Sequence, residues 1–472
     1  MNASLNKWDY INIVFLVLVN LSLTDLLDSN LFKTIISFLP FTILLILYIN
    51  KPKHVFYKVF LVYIFAFPFS PRDIVLVQQG TSLKTFISFT NLDIGFLSLS
   101  LLSIILFTII ECSKLGLIPK MIQFFIFYLL SFICYSILFN FGDFYLNFFI
   151  SDLKPFLIFF FGYFFGLCIY KRFHNIWNQI FFKSLLILLF VFFIKTIFYI
   201  TYDLYVNNYN TSFSTLPYLF IPVLYLAFFS NDLKKRNWII AMAFISSISL
   251  SRGYFLMLGV LYLLLPIFFT KKKNFKKIFK SYIIFSGLLI FLFSFSKMFL
   301  SDQINVFLEY KLNFFTVELF SGNTDLNRST LIRVFEFLNI TDDLMKSPIN
   351  FFFGKGLGGY FQFKEYSLPI PLSTDAFSDS QLILNKYFRP HTFINSALLK
   401  GGLFLLIGFS ITNIKTFIYS FKSFKRNENQ AFVLFSGIFS LLFLFYFWIP
   451  EFLFLNGLII GYVRKHKRNS IL

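Results

Sequence analysis

Ser184–Ile200 reads SLLILLFVFFIKTIFYI, an apolar run interrupted by a single lysine, Lys195. Its length falls within the roughly 17–25 residues that a helix needs to cross about 30 Å of hydrocarbon. Apolar and polar residues do not alternate along it, so it does not read as a barrel strand. In lipid every backbone N–H and C=O must pair within its own element, which leaves a helix. Comparable runs recur over 10–27, 31–49, 55–69, 92–110, 121–139, 155–170, 215–230, 238–251, 253–269, 280–296, 393–413, 431–449 and 452–463. The pattern predicts an all-α polytopic membrane protein with about fourteen transmembrane helices. The shortest runs, 55–69, 238–251 and 452–463, read as tilted, re-entrant or merged with their neighbours.

Composition agrees. The 472 residues are 57% hydrophobic and 14% charged, against the roughly 25% charge of an ordinary soluble domain. The formal net charge of +20 would suit nucleic acid, but the basic residues sit between the apolar runs. Lys51, Lys53 and Lys58; Lys114 and Lys120; Lys171, Arg172 and Lys183; and Lys234, Lys235 and Arg236 fall on one predicted side. So do Lys271–Lys273, Lys276, Lys277, Lys280, Lys415, Lys422, Lys425, Arg426, Arg464, Lys465, Lys467 and Arg468. The opposite segments carry Asp28, Asp143, Asp203 and Glu451, with Arg72 and Lys84 as the exception. This distribution implies contact with membrane lipids and a positive-inside topology, with no nucleic-acid partner. Both termini are expected in the cytoplasm, with one large outer loop. The division that follows is 1–296, a transmembrane bundle with basic cytoplasmic loops; 297–392, an outer loop with short helices; and 393–472, C-terminal transmembrane helices with a basic tail. The first apolar segment lacks the basic region and small-residue cleavage site of a signal peptide and reads as a retained helix. Cys112, Cys134 and Cys168 have no metal-ligand spacing and imply no disulfide framework.

The outer interval, Lys297–Pro390, is too long for an ordinary connection and too apolar for a disordered linker. Ile304–Phe320 reads as a helix lying on the membrane surface. A second helix is expected from about Asn327 to Met345, capped by Asp325 or Asn327. Phe351–Tyr360, FFFGKGLGGY, is a tight glycine-rich passage, and Pro369 and Pro371 make the stretch after it a loop.

His391 stands in Arg389-Pro390-His391-Thr392-Phe393, where Pro390 restrains Arg389 and Thr392 is placed to cap the following helix. An imidazole there can exchange a proton near neutral pH, or serve as an interfacial histidine with no catalytic task. Arg252, in Ser251-Arg252-Gly253, lies between two apolar runs with almost no polar spacer. A guanidinium in that position needs either a bound anion, for which phosphate suits its donor fork, or a permanent ion pair. Arg328 and Arg333 share the expected outer helix, about 140° apart around its axis, so one can face a ligand while the other pairs with Glu336. Lys355 lies among Gly354, Gly356, Gly358 and Gly359, a passage open to reading as an anion-binding turn or as a fold-over hinge. It is not a GxxxxGK[ST] nucleotide loop.

The order and spacing of SRG at Ser251–Gly253, NRSTLIR at Asn327–Arg333, GKGLGG at Gly354–Gly359 and HTFINSALLKGG at His391–Gly402 resemble the O-antigen polymerase and O-antigen ligase superfamily. Members of this superfamily are bacterial membrane glycosyltransferases. They commonly carry a His-Asn segment followed by Leu and Gly at helical spacings. Here His391, Leu398 and Gly402 match, Thr392 replaces the asparagine and Leu405 stands where a second glycine is often found. Arg328 matches the arginine near the start of the outer helix. The match covers roughly the latter half of the chain.

The resemblance implies metal-independent, inverting chemistry: a glycan leaves undecaprenyl pyrophosphate and is transferred to an acceptor hydroxyl with inversion, and no cofactor is expected. A polymerase passes the growing glycan to another lipid-linked repeat unit, in keeping with O-antigen or related surface-polysaccharide synthesis, and a chain-length regulator is an expected partner. A ligase passes it to lipid A-core instead, and a transporter of lipid-linked glycan is a third reading. In the polymerase reading His391 is catalytic, Arg252, Arg328 and Arg333 hold the pyrophosphate, and Lys355 and Arg389 are accessory. The expected location is a bacterial inner membrane, crossed many times, with the site facing the periplasm or cell exterior.

Overall fold

A computed structural model describes residues 30–66, 75–78, 81–84, 93–94, 97–139, 146–206, 324–367, 379–426, 431–443 and 450–469, with positions 7, 9–11, 238, 239, 242 and 283. Most of the expected helices 10–27, 238–251 and 280–296, all of 215–230 and 253–269, the turn bearing Arg252 and the stretch Ile304–Phe320 lie outside those residues. The chain divides into two compact units. The first comprises Met1–Asp93, Asn175–Gly322 and Phe421–Phe435, and the second Ile94–His174, Asn323–Ser420 and Ser436–Leu472.

The described elements begin with α1 (Asn30–Asn50) and α2 (Lys53–Ala66), separated by Lys51-Pro52. Strands β1 (Val75–Gln78) and β2 (Thr81–Lys84) pair antiparallel, with Val75 opposite Lys84 and Gln78 opposite Thr81. A second short pair joins β3 (Asp93–Ile94) to β4 (Leu97–Ser98). Then follow α3 (Leu99–Lys114), α4 (Ile118–Phe124), a π-helical stretch Phe125–Leu130, α5 (Ser131–Phe139) and the 61-residue α6 (Leu146–Val206). Then come α7 (Thr324–Met345), α8 (Pro348–Phe353) and α9 (Asp379–Leu384). The chain closes with α10 (Phe393–Arg426), α11 (Ala431–Leu442) and α12 (Pro450–Asn469).

This architecture corrects the expected fold. The protein is mostly helical, but among the described residues 3 helices, not about fourteen, are long and apolar enough to cross a membrane. They are Ile118–Leu138, Phe148–Val191 and Phe393–Ser423. The inferred multi-pass placement in a bacterial inner membrane, with cytoplasmic termini and an outward site, rested on the larger count and is withdrawn with it.

The physical reasons lie in particular elements. The runs 155–170 and 184–200 belong to one helix, α6, because the polar residues between them include no glycine or proline to end it. The run 55–69 forms only the 14-residue α2, about 21 Å long and short of the hydrocarbon thickness. Every residue from Val55 to Ile64 is buried, so α2 is a core helix packed by protein on all faces. In the first unit Tyr57 of α2 meets Trp177 edge-on at 6.5 Å, and buried Lys58 pairs with buried Asp9. Within 92–110, helix begins only at Leu99.

The second unit owes its tightest packing to two GxxxG stripes, Gly162–Gly166 on α6 and Gly457–Gly461 on α12. A Cβ on Gly166 would lie 2.2 Å from the Leu458 carbonyl oxygen, and one on Gly461 would lie 2.1 Å from that of Tyr163. Only hydrogen at these positions lets the two backbones approach so closely. Asn413 and Asn456 add a buried amide–amide bond of 2.6 Å. α10 breaks at Gly402, whose φ of 61° is left-handed and favours glycine.

Candidate functional site

All the described candidate residues fall in the second unit. α7 turns one stripe, Ile332, Glu336, Ile340 and Leu344, inward at successive i,i+4 positions. The three apolar members join a core with Phe361, Phe363, Tyr387, Leu398 and Leu399. Glu336 occupies the same stripe at 0% exposure. A carboxylate there is costly unless hydrogen bonds replace its water.

The start of α10 supplies them. Thr392 caps the helix, its Oγ1 accepting from Asn395 N at 3.2 Å. The cap fixes the backbone so that His391 N–H donates to Glu336 Oε2 at 3.0 Å. The imidazole Nδ1 meets Glu336 Oε1 at 2.5 Å. Asn395 Nδ2 donates to Glu336 Oε2 at 3.2 Å and to the Arg333 carbonyl at 3.1 Å. Three donors thus converge on two buried oxygens. With the carboxylate as acceptor, Nδ1 carries the ring hydrogen and the neutral imidazole has its lone pair on Nε2. The His391 side chain is 29% exposed, so the ring reaches from a buried anchor to the surface.

The glycine-rich passage packs beside this dyad's helix. Gly354, Gly356 and Gly358 all have left-handed φ values, between 73° and 78°. A Cβ on Gly354 would meet Gly402 N at 2.6 Å, so the turn lies backbone to backbone against the break in α10. That break frees helix carbonyls, and the turn takes them: Lys355 N donates to Leu399 O at 2.7 Å and Gly356 N to Lys400 O at 3.1 Å. Leu357 N donates to Ser136 Oγ at 2.7 Å and Gly358 N to Asp152 Oδ2 at 2.8 Å. Tyr135 Oη donates to Gly354 O at 2.8 Å. Buried Lys400 forms an ion pair with buried Asp152 and donates to Gly359 O at 2.6 Å. These N–H groups are engaged inside the protein, so the passage is a docked turn and not an anion cradle.

Of the sequence-derived candidates, His391 is linked through Glu336 and Asn395 to the backbone carbonyl of Arg333. Arg333 is half-buried, and Arg328 lies nearer the start of α7. Lys355 pairs with Asp343 and also donates to Tyr360 O at 3.0 Å. Arg389 donates to Ser151 Oγ, next to a stacked contact of 3.7 Å between Phe148 and Phe388. Arg252 lies outside the described residues.

Sequence reasoning gave Glu336 only as an arginine partner and did not single out Asn395, Asp152 or Lys400. Glu336 had a readable signal, a carboxylate at the centre of an otherwise apolar i,i+4 stripe. Lys400, between Leu399 and Gly401, had a similar one. Asp152 had none, since its partner stands more than two hundred positions away. No protein-family model, curated protein or solved structure matches the chain.

Proposed function

We propose that this protein is a glycosyltransferase that extends a glycan carried on a polyprenyl diphosphate, with His391 as the general base. The observation that carries this reading is the 2.5 Å contact of His391 Nδ1 with a fully buried carboxylate, Glu336. A ring anchored in this way presents Nε2 as a proton acceptor in a fixed orientation, the arrangement that activates a hydroxyl.

In the proposed step Nε2 removes the proton from an acceptor sugar hydroxyl. The oxygen attacks the anomeric carbon, and the bond from that carbon to the diphosphate oxygen breaks. The polyprenyl diphosphate departs with the electron pair, and the configuration inverts. Arg333 and Arg328, both on α7, are assigned to the departing diphosphate, where cationic donors stabilise the developing charge. Arg389 sits two residues from His391 and is assigned an accessory part in the same contact. Lys355, bonded to Asp343 and Tyr360, acts on the shape of the turn. The exposed apolar side chains Ile122, Ile126, Phe127, Leu130 and Leu138 supply a surface suited to the polyprenyl tail.

The reading favoured is the repeat-unit polymerase. Purified protein given one lipid-linked repeat unit is expected to produce a ladder of longer lipid-linked glycans. Transfer seen only after lipid A-core is added would replace polymerase by ligase. Movement of intact lipid-linked glycan across a vesicle bilayer, with no new glycosidic bond, would replace both by transport.

A further inference from the structure

Cys112 lies near the end of α3 and Cys168 within α6, both in the second unit and both buried, at 0% and 1% exposure. Their sulfurs are 3.3 Å apart, a thiol–thiol contact. One residue before Cys112, Glu111 pairs with Arg172, which stands one turn beyond Cys168. The two helices therefore meet at two consecutive rungs, one ionic and one sulfur. The ionic rung holds the sulfurs in register, so neither side chain has to search for the other. The third cysteine, Cys134, is exposed.

A disulfide bond needs its sulfurs at about 2.05 Å, so closing this contact requires an approach of roughly 1.3 Å, within the reach of small side-chain rotations. We propose that Cys112 and Cys168 form an intramolecular disulfide site, closed by a small neutral two-electron oxidant. Both sulfurs are buried, so the oxidant has to be uncharged and small enough to enter when the packing opens locally. A diazenedicarboxamide suits the site. Each thiol loses one hydrogen, an S–S bond forms, and the two hydrogens with their electrons convert the reagent's N=N bond to a hydrazine. The cross-link ties the end of α3 to α6, the helix that also carries Ser151 and Asp152. This site is independent of the glycosyl-transfer reading.

The test treats the full chain in its folded state with the diazenedicarboxamide, removes the reagent, denatures, and labels free thiols with a maleimide–polyethylene glycol. Labels per chain are expected to fall from 3 to 1, with full recovery after dithiothreitol. Peptide mass spectrometry is expected to show Cys112 joined to Cys168. Cys134→Ser should fall from two labels to none, whereas Cys112→Ser should keep both of its labels. Retention of every label by the folded wild type, or a cross-link that contains Cys134, overturns the proposal. So does label loss in Cys112→Ser.

Discussion

Replacing Glu336 by glutamine keeps the side chain's shape and removes one of its two acceptors. Three donors reach the native carboxylate: His391 N, His391 Nδ1 and Asn395 Nδ2. An amide has one oxygen to offer them, and its NH2 group faces a donor on the other side. If the oxygen stays on Nδ1, the NH2 meets His391 N–H and Asn395. If the amide flips, the ring must accept at Nδ1, which moves its hydrogen to Nε2 and removes the base. The first outcome leaves a buried donor unmatched, at about 1–3 kcal/mol of stability. The second removes general-base assistance, worth roughly 10²–10⁴ in rate, or about 3–5 kcal/mol of barrier. The assay is single-turnover extension with excess enzyme over lipid-linked donor, alongside donor binding and thermal unfolding. Glu336→Gln is expected to lose at least about 10²-fold in rate while binding donor within a few-fold of wild type. The double variant His391→Ala/Glu336→Gln should be no slower than His391→Ala alone, because the two residues act as one device. A wild-type rate for Glu336→Gln, or losses that multiply in the double variant, would refute the dyad.

Other expectations rest on packing and charge. Lys400→Met or Asp152→Asn alone leaves a buried partner uncompensated and should lower stability by about 3–5 kcal/mol, whereas an apolar pair at both sites should recover much of it, as read by chemical unfolding. Gly166→Ala drives a methyl into the Leu458 carbonyl and should cost about 1–3 kcal/mol, while Gly408→Ala, with nothing within 4 Å, should be neutral or slightly stabilising in the same thermal assay. His466 is held below the ordinary imidazole value of 6.5 by burial first and by His174 second. The unfolded chain therefore takes up this proton before the folded one. The stability contributed by neutral His466 is complete above pH 6.5 and is lost as pH falls from there through the lower folded value. Unfolding midpoints between pH 7.5 and 5 should fall less steeply for His466→Gln than for wild type, and parallel curves would contradict this.

Local chemistry was legible in the sequence where the decisive partners are neighbours in the chain. The helix expected from about Asn327 runs Thr324–Met345, and Thr392 caps the helix that begins at Phe393. Apolar runs marked helices but not what surrounds them. α2 is buried on every face from Val55 to Ile64, with Lys58 matched by Asp9, and a run this rich in apolar residues would equally suit a lipid-facing helix. The charges Lys171 and Arg172 looked like the end of a segment, yet lysine and arginine are good helix formers and α6 continues through them. The His391–Glu336 contact spans 55 positions, and the bond of Asp152 to Gly358 spans 206, so no local pattern encodes either. The stripe Gly162–Gly166 was readable as a GxxxG, but its partner at Gly457–Gly461 is set only by the fold.

The most direct test compares wild type and His391→Ala for elongation of a single lipid-linked repeat unit, with donor binding measured on the same preparations. The expected result is a product ladder from wild type, its near-complete loss in His391→Ala, and donor affinity within a few-fold of wild type. Equal ladders from the two proteins, or no new glycosidic bond from folded wild type that binds the donor, would contradict the account.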